Sequence, residues 1–505
     1  MSSSEAYDPY AITHSAIQEP PDSLFRALLK IGPGIILAGS IVGSGELILT
    51  TALGADFGYQ FLWLILFSCV IKVFVQIELG RFTLSSGKPL LVALNELGGP
   101  RWGANWQVWW FIIMLFGTTV QLGAMTGGVA LALNSAFPQA MTALAAQLNS
   151  ISPEAASWLS SHPEHPWAIL TWFLAVALLL SGGYQRIELI TTILVAGVTA
   201  ITLASVLAVP YLGFPITLDS LAKGMTINPA DYSNAAIVAA FGCFGITGVG
   251  AAELYFYPYW CIEKGYARYT GPHEESEDWV RRAKGWMRVL KLDCWSSMIV
   301  YTVATVSFYL LGAAVLNPQN LHPKGTAIIN TLAEMYVPVF GPQTRILFLI
   351  GVWAVLFKTL YLASASDARL TADFLNIAGF VKFKDYSDRK FWTRVCCVIY
   401  PSVGLILYFC FREPKVMVAF GGFIQAATLP LISFSTLYLR YYKTDRRITP
   451  GLLADCLLWI AVLSISTVAF FAVRKTIVDN VFRPTAAAVA PATVAPADQQ
   501  PADKN

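Results

Sequence analysis

Charge is what this 505-residue chain has least of: Asp, Glu, Lys and Arg supply 13% of its residues, against roughly 25% in an average soluble domain. That deficit excludes an ordinary water-soluble protein. Basic excess is absent too, since 34 Lys and Arg against 31 Asp and Glu leave a net charge of +3. A nucleic-acid partner needs clustered positive charge, so none is expected. Histidine is rarer still, and all five residues, His14, His162, His165, His273 and His322, fall outside the long apolar runs, which excludes a histidine relay inside a membrane. The eight cysteines show no CxxC or Cys/His spacing, so neither a redox nor a zinc role follows. No Walker-type glycine loop, HExxH or GxSxG occurs in a suitable context, so ATP-driven pumping and the matching hydrolase classes lack support, and no enzyme or cofactor is expected. Residues 1–22 lack the basic-then-apolar order of a signal peptide, so the first apolar segment reads as a retained membrane helix.

What the chain has in abundance is hydrophobic sequence, 56% of it. About 20 apolar residues cross a bilayer as a helix, the form that satisfies every backbone polar group within the segment. Spans are expected at 31–55, 58–82, 106–136, 166–184, 188–213, 232–261, 294–316, 343–378, 391–411, 414–441 and 449–473. Aromatic residues near span ends, among them Trp106, Trp109, Trp110, Trp392 and Tyr408, suit interfacial belts. The connections at 262–292, 379–394 and 440–447 are rich in Lys and Arg, whereas 137–165 has none and 317–342 only Lys324. Positive loops face the cytoplasm, which puts the N-terminus inside and, after eleven spans, the C-terminus outside. The Ala/Pro-rich stretch at 483–505 reads as a disordered tail.

The most informative pattern is an internal match. Val42-Gly43-Ser44-Gly45-Glu46-Leu47 in the first span lines up with Val249-Gly250-Ala251-Ala252-Glu253-Leu254 in the sixth. Each puts a carboxylate after small residues in mid-segment, where glycine weakens a helix. Glycine-interrupted helices at corresponding places in two halves point to an inverted-repeat transporter with a site at the membrane midplane. Paired carboxylates at that depth mark a cation path. The competing readings are an ion pair of Glu46 with Lys72 or Lys358, and close helix packing for the glycines. The expected organisation is a cytoplasmic tail (1–24), repeat 1 (25–213, spans 1–5), repeat 2 (214–445, spans 6–10), an eleventh helix (446–475) and the C-terminal tail (476–505).

In its order of elements the chain resembles the Nramp family of divalent-metal transporters, over roughly 25–445. The residues that carry the likeness are Gly32-Pro33-Gly34, Phe57-Gly58-Tyr59 with Leu62-Trp63, Gly127-Gly128, Glu253-Leu254-Tyr255, Leu362-Ala363-Ser364 and Leu429-Pro430. The resemblance implies an all-α integral membrane protein with a LeuT-type inverted repeat of 5+5 helices plus an eleventh transmembrane helix. The departures fall on the chemistry. Where the family has Asp-Pro-Gly-Asn this chain has Gly43, Ser44, Gly45 and Glu46, and Met-Pro-His-Asn is replaced by Gly250, Ala251, Ala252 and Glu253. The third-span acids of the family align with Gln121 and Ala124, and a later sixth-span His with Tyr257. Thr428 aligns with a polar position near the family's metal, and Gln425 is its neighbour as a possible neutral ligand.

Thioether sulfur suits softer metals, whereas carboxylates and carbonyls suit Mg²⁺ and Mn²⁺. Glu46 and Glu253, with carbonyls about Gly43 and Gly250, therefore predict an all-oxygen site for a hard divalent cation, moved by alternating access across the cell membrane. The cation is cargo, not cofactor. Protons are a possible second partner, because two adjacent carboxylates without a cation resist double ionisation; uncoupled flux is the alternative. A monomer in lipid is the expected form. Lys358, Asp367, Gln121 and Tyr257 are candidates for coupling or gating. Glu78 and Arg81, three residues apart, read as a structural ion pair, and His162, Glu164 and His165 as a solvated outer cluster rather than a metal trap. Two rival readings are a LeuT-fold transporter of a cationic or amine-bearing organic solute, and a membrane sensor that binds without transporting.

Overall fold

The computed structural model describes residues 8–181, 184–228 and 232–477. Apart from a hairpin of two-residue strands at 101–105, the regular structure is helical. Nine described helices are long and apolar enough to cross a membrane. The first span is broken into α1 (Pro33–Ile41) and α2 (Thr51–Phe57), and the fourth is the 17-residue helix His165–Ser181, bent by 79° from the short helix before it. With those two the count is the eleven that run length predicts. The remaining pieces are α3 (Leu62–Ser86), α4 (Trp106–Ala136), α5 (His165–Ser181), α6 (Tyr184–Ala208), α7 (Asn234–Ile246), α8 (Ala251–Lys264), α9 (Glu277–Leu311), α10 (Thr344–Ile377), α11 (Tyr386–Phe411), α12 (Pro414–Tyr442) and α13 (Leu452–Ile477).

Two departures from the expected boundaries have a common cause. Helix α9 begins 17 residues before its predicted span, with Ser276 accepting from the Trp279 amide, and the connection at 137–165 folds into Pro138–Asn149 and Pro153–Ser161. Hydropathy marks only the stretch lipid must cover, whereas a helix continues into water wherever capping and packing support it.

The helices sort into two packed groups. Helices α1 and α3 each pack against α8 and α9, and α4, α5, α10 and α11 form a second set, with α12 bridging α4 to α7. Glycine makes the closest approaches: a Cβ at Gly123 would meet the Gly404 carbonyl at 2.8 Å, and Gly422 lies against the backbone of Gly242. Residues 8–20 lie across the end of the molecule that carries the basic connections, where Gln18 donates its amide to Tyr269 O at 3.0 Å and its carbonyl accepts from Trp286 Nε1 at 2.9 Å. The end of α13 sits beside Phe61 and Tyr232, at the opposite end of α3. The two ends of the described chain thus lie on opposite faces. Residues 478–505, which include the Ala/Pro-rich tail, lie outside the described residues.

A buried ion-pair chain ties the basic end together. Arg81 Nε meets Glu78 at 3.0 Å, Arg440 reaches the same Glu78 at 3.4 Å and Asp455 at 2.8 Å, and Arg81 Nη1 donates to Ile448 O at 2.6 Å. The Glu78–Arg81 pair is therefore structural, joining α3 to α12 and α13. On the other face Glu164 is held by Arg412 at 2.7 Å, and the rings of His162 and His165 lie 4.8 Å apart, tilted by 33°. No group of three or more His, Cys, Asp or Glu side chains placed to hold a metal occurs among the described residues.

Candidate functional site

The first span breaks where the sequence thins out to small residues. The last regular bond of α1 runs from Val42 N to Ala38 O, Val42 leaves the helical region at ψ 73°, and the chain resumes as a wide π-helical turn over Gly45–Thr50. Gly43 has no room for a side chain, because Thr359 of α10 and the Ser40 carbonyl press against it. π-Helical turns commonly mark functional sites. This one carries Glu46, fully buried, with one carboxylate oxygen 3.4 Å from the Thr305 hydroxyl of α9 and the other without a hydrogen-bond partner. A buried carboxylate oxygen left unpaired costs free energy that a bound cation would recover.

The entry to α1 is also held from outside. Asp293 of α9 accepts from Gly32 N at 2.9 Å and Gly34 N at 2.6 Å, and a Cβ at Gly34 would sit 2.7 Å from the Asp293 carbonyl. Free N–H groups at a helix start need such an acceptor. Sequence reasoning misses Asp293, because its partners lie about 260 residues away and no local pattern links them.

The sixth span breaks between Ile246 and Ala251, with Gly248 at φ +67°. Glu253 stands in the first turn of α8, where the free N–H groups and the helix dipole favour a negative charge. Gln425 of α12 spans the gap: its Oε1 accepts from Ala252 N at 3.0 Å, and its Nε2 donates to Gln121 Oε1 of α4 at 2.9 Å. At Gly250 an added Cβ would lie 2.6 Å from Glu253 Oε2 and 2.7 Å from Gln425 Oε1, so this glycine keeps carboxylate and amide close together.

A cavity of about 40 Å³ joins the two breaks, lined by Ser40, Ser44, Glu46, Thr118, Gln121, Glu253, Thr359 and Gln425 among others. Two carboxylates and a ring of neutral oxygens thus face one water-sized space. Asp367 of α10 lies behind Thr118, whose hydroxyl donates to it at 3.2 Å; its second oxygen is buried without a partner. One turn further along α1 and α8, Ile36 and Trp260 replace Ser40 and Phe256 as lining residues, and a vestibule of about 500 Å³ opens towards the basic end. Its walls carry the ion pair Arg369–Glu263 at 2.6 Å, and Tyr10 of the N-terminal segment hydrogen-bonds the same Glu263 at 3.2 Å.

Other residues singled out in the sequence sit elsewhere. The Thr428 hydroxyl accepts from Trp110 Nε1 at 3.1 Å and donates to Ile424 O, and it does not line the cavity. Tyr257 donates to Asp293 at 3.3 Å, on the side of α8 that supports the start of α1. Lys358 donates to Thr192 of α6 at 2.9 Å. Lys72 donates to backbone carbonyls of the sixth span. Neither lysine forms a salt bridge with Glu46, which makes none within 4.0 Å among the described residues.

A family model described as natural resistance-associated macrophage protein-like, Nramp, matches residues 34–474. The chain is 23% identical over 465 residues to the divalent metal cation transporter MntH of Bacillus subtilis (strain 168), covering 91% of this chain and 94% of that one. Its structure resembles that of a manganese transporter from Eremococcus coleocola with TM-score 0.63 at 13% identity, covering 95% and 94% of the two chains. MhsT in complex with L-phenylalanine matches with TM-score 0.50 at 14% identity over 91% of this chain and 99% of that one.

Proposed function

Because the chain belongs to the Nramp family, we propose that it is a secondary transporter of a hard divalent cation, Mg²⁺ or Mn²⁺, with Glu46 and Glu253 as its carboxylate ligands. The observation that carries this reading is the pair of broken helices whose acids face one small cavity, one acid keeping an unpaired oxygen. Two carboxylates balance a 2+ charge. Gln425, Thr118 and carbonyls at the breaks offer neutral oxygens, and the remaining space suits water. Mg²⁺ in particular binds through one or two carboxylates while keeping several waters. No imidazole or thiol lines the cavity, and its one thioether, Met125, brings a single sulfur, a donor set that disfavours soft metals. A space of about 40 Å³ is far below the several hundred Å³ that organic solutes occupy, which weighs against an amine or amino-acid cargo. The named substrates of MntH and of the Eremococcus coleocola manganese transporter support a divalent metal.

Rocking of the α1–α3–α8–α9 group against the α4–α5–α10–α11 group would expose the site to either face in turn. The lysine- and arginine-rich connections and the N-terminal segment packed on them lie, in this reading, in the cytoplasm. The carboxylate pair itself exchanges protons for metal.

The test is Mn²⁺ and Mg²⁺ flux into proteoliposomes with Cd²⁺ as competitor. Glu46→Gln and Glu253→Gln are each expected to lower flux by about tenfold or more, the loss of one charged ligand being worth at least about 1.4 kcal/mol. Unchanged flux in both variants would remove the site assignment, and strong preference for Cd²⁺ the hard-metal reading. A pH dye inside the vesicles reports proton exchange; metal uptake with no pH change would exclude it.

A further inference from the structure

Lys72 lies in the middle of α3 with no exposed surface, and no acidic side chain pairs with it among the described residues. Its ammonium instead donates to two backbone carbonyls, Phe244 O at 2.5 Å and Thr247 O at 2.8 Å, and stands 4.7 Å from the centre of the Phe244 ring. Those carbonyls close the C-terminal end of α7, where the last C=O groups have no helical partner and the helix dipole is negative. Ser68, one turn earlier on α3, donates to the same two oxygens at 3.2 and 3.0 Å. Immediately beyond, Gly248 presses so close that an added Cβ would lie 2.9 Å from Cys69 Cα. The broken backbone is therefore seated on α3 through a positive charge and a hydroxyl, just before it turns to deliver Glu253.

A cation held by the carbonyls of an unwound helix and the C-terminal end of a half-helix is the arrangement by which discontinuous-helix transporters bind a coupling ion. Here the cation is covalently part of the chain. We propose that Lys72 is a tethered cation that takes the place of a bound monovalent ion at the sixth-span break, clamping that break in position and leaving the site at Glu46 and Glu253 independent of external Na⁺ or K⁺. The flux part of this inference rests on the divalent-cation reading; the stability part does not.

The parent protein and Lys72→Ala and Lys72→Arg variants are purified, and thermal unfolding is measured in choline, Na⁺, K⁺ and methylammonium chlorides. For the parent and Lys72→Arg, Tm should be the same in all four. For Lys72→Ala, which leaves a cation-sized space beneath two carbonyls, Na⁺ or methylammonium should raise Tm saturably by about 2 °C or more while choline does not. If Lys72→Ala cannot be isolated in choline, methylammonium in the extraction buffer should recover it. No small-cation effect on Lys72→Ala, or no recovery, would overturn the proposal, as would a parent Tm that depends on Na⁺. In proteoliposomes the same cations should restore Lys72→Ala metal flux severalfold. Parent vesicles without metal flux would reject the cargo reading, and the unfolding measurements would still decide the role of Lys72; parent flux that requires Na⁺ would reject the tethered cation.

Discussion

Single residues in this protein act mainly by supplying what a broken or ended helix lacks. Asp293 takes the free amides of Gly32 and Gly34, Gln425 takes that of Ala252, and Lys72 covers the carbonyls of Phe244 and Thr247. At the basic end Asp445 does the same for a loop. Its side chain caps the turn at Arg447 N and accepts the Arg447 guanidinium at 2.7 Å, and His273 lies 2.8 Å away. The Arg447 guanidinium, followed by the hydrogen bond from His273, holds the Asp445 carboxyl well below its usual range. A depressed carboxyl contributes stability that is complete above its unfolded value, near about 4, and is lost as pH falls towards the folded one. The difference in Tm between the parent and Asp445→Asn should therefore stay constant from about pH 5 to 8 and shrink only in stronger acid. A difference that changes between about pH 6 and 8 would show that another group controls this loop.

At the scale of elements, the two breaks are what separates these helices from ordinary spans. Gly248 combines a left-handed backbone with contact against Cys69, so Gly248→Ala should cost about 1–2 kcal/mol for the backbone alone and displace Glu253 by forcing the break off α3. Lower Tm and weaker metal binding together would be the result; an unchanged Tm would mean the break relocates freely. How much of this is legible in the sequence depends on range. Span positions follow from apolar run length, and the breaks from glycine clusters near Gly43 and Gly250, because both are local properties. The supports are not legible: the sequence offers Lys72 as a partner for Glu46, yet its ammonium points to carbonyls more than 170 residues away, and nothing in the order of residues states which face of α3 meets α7. Alignment draws attention to Thr428, whose hydroxyl is engaged by Trp110, while its neighbour Gln425 one turn earlier faces the cavity. The long polar start of α9 reads as loop for the opposite reason, that hydropathy is silent about helices in water.

For the molecule as a whole, the small cavity and the large vestibule lie in series along α1, α8 and α10. Rocking of the two helix groups would widen one end of that series as it closes the other. Ala365 lines the vestibule, so in a background freed of other reactive thiols Ala365→Cys should react with a membrane-impermeant thiol reagent from the side bearing the N-terminus. Saturating Mn²⁺ should change that rate by about twofold or more if occupancy shifts the balance of states; an invariant rate would argue against alternating access through this opening. The glycine contacts between helices add a constraint of another kind. Where Gly123 meets Gly404, or Gly422 meets Gly242, main chain lies on main chain and cannot give way as a flexible side chain does. Drift in the sequence is then channelled: lipid-facing positions of α6 and α13 are free to exchange one apolar residue for another, while these seams admit almost no spelling but their own, so descent should be most readable where the protein does no chemistry at all.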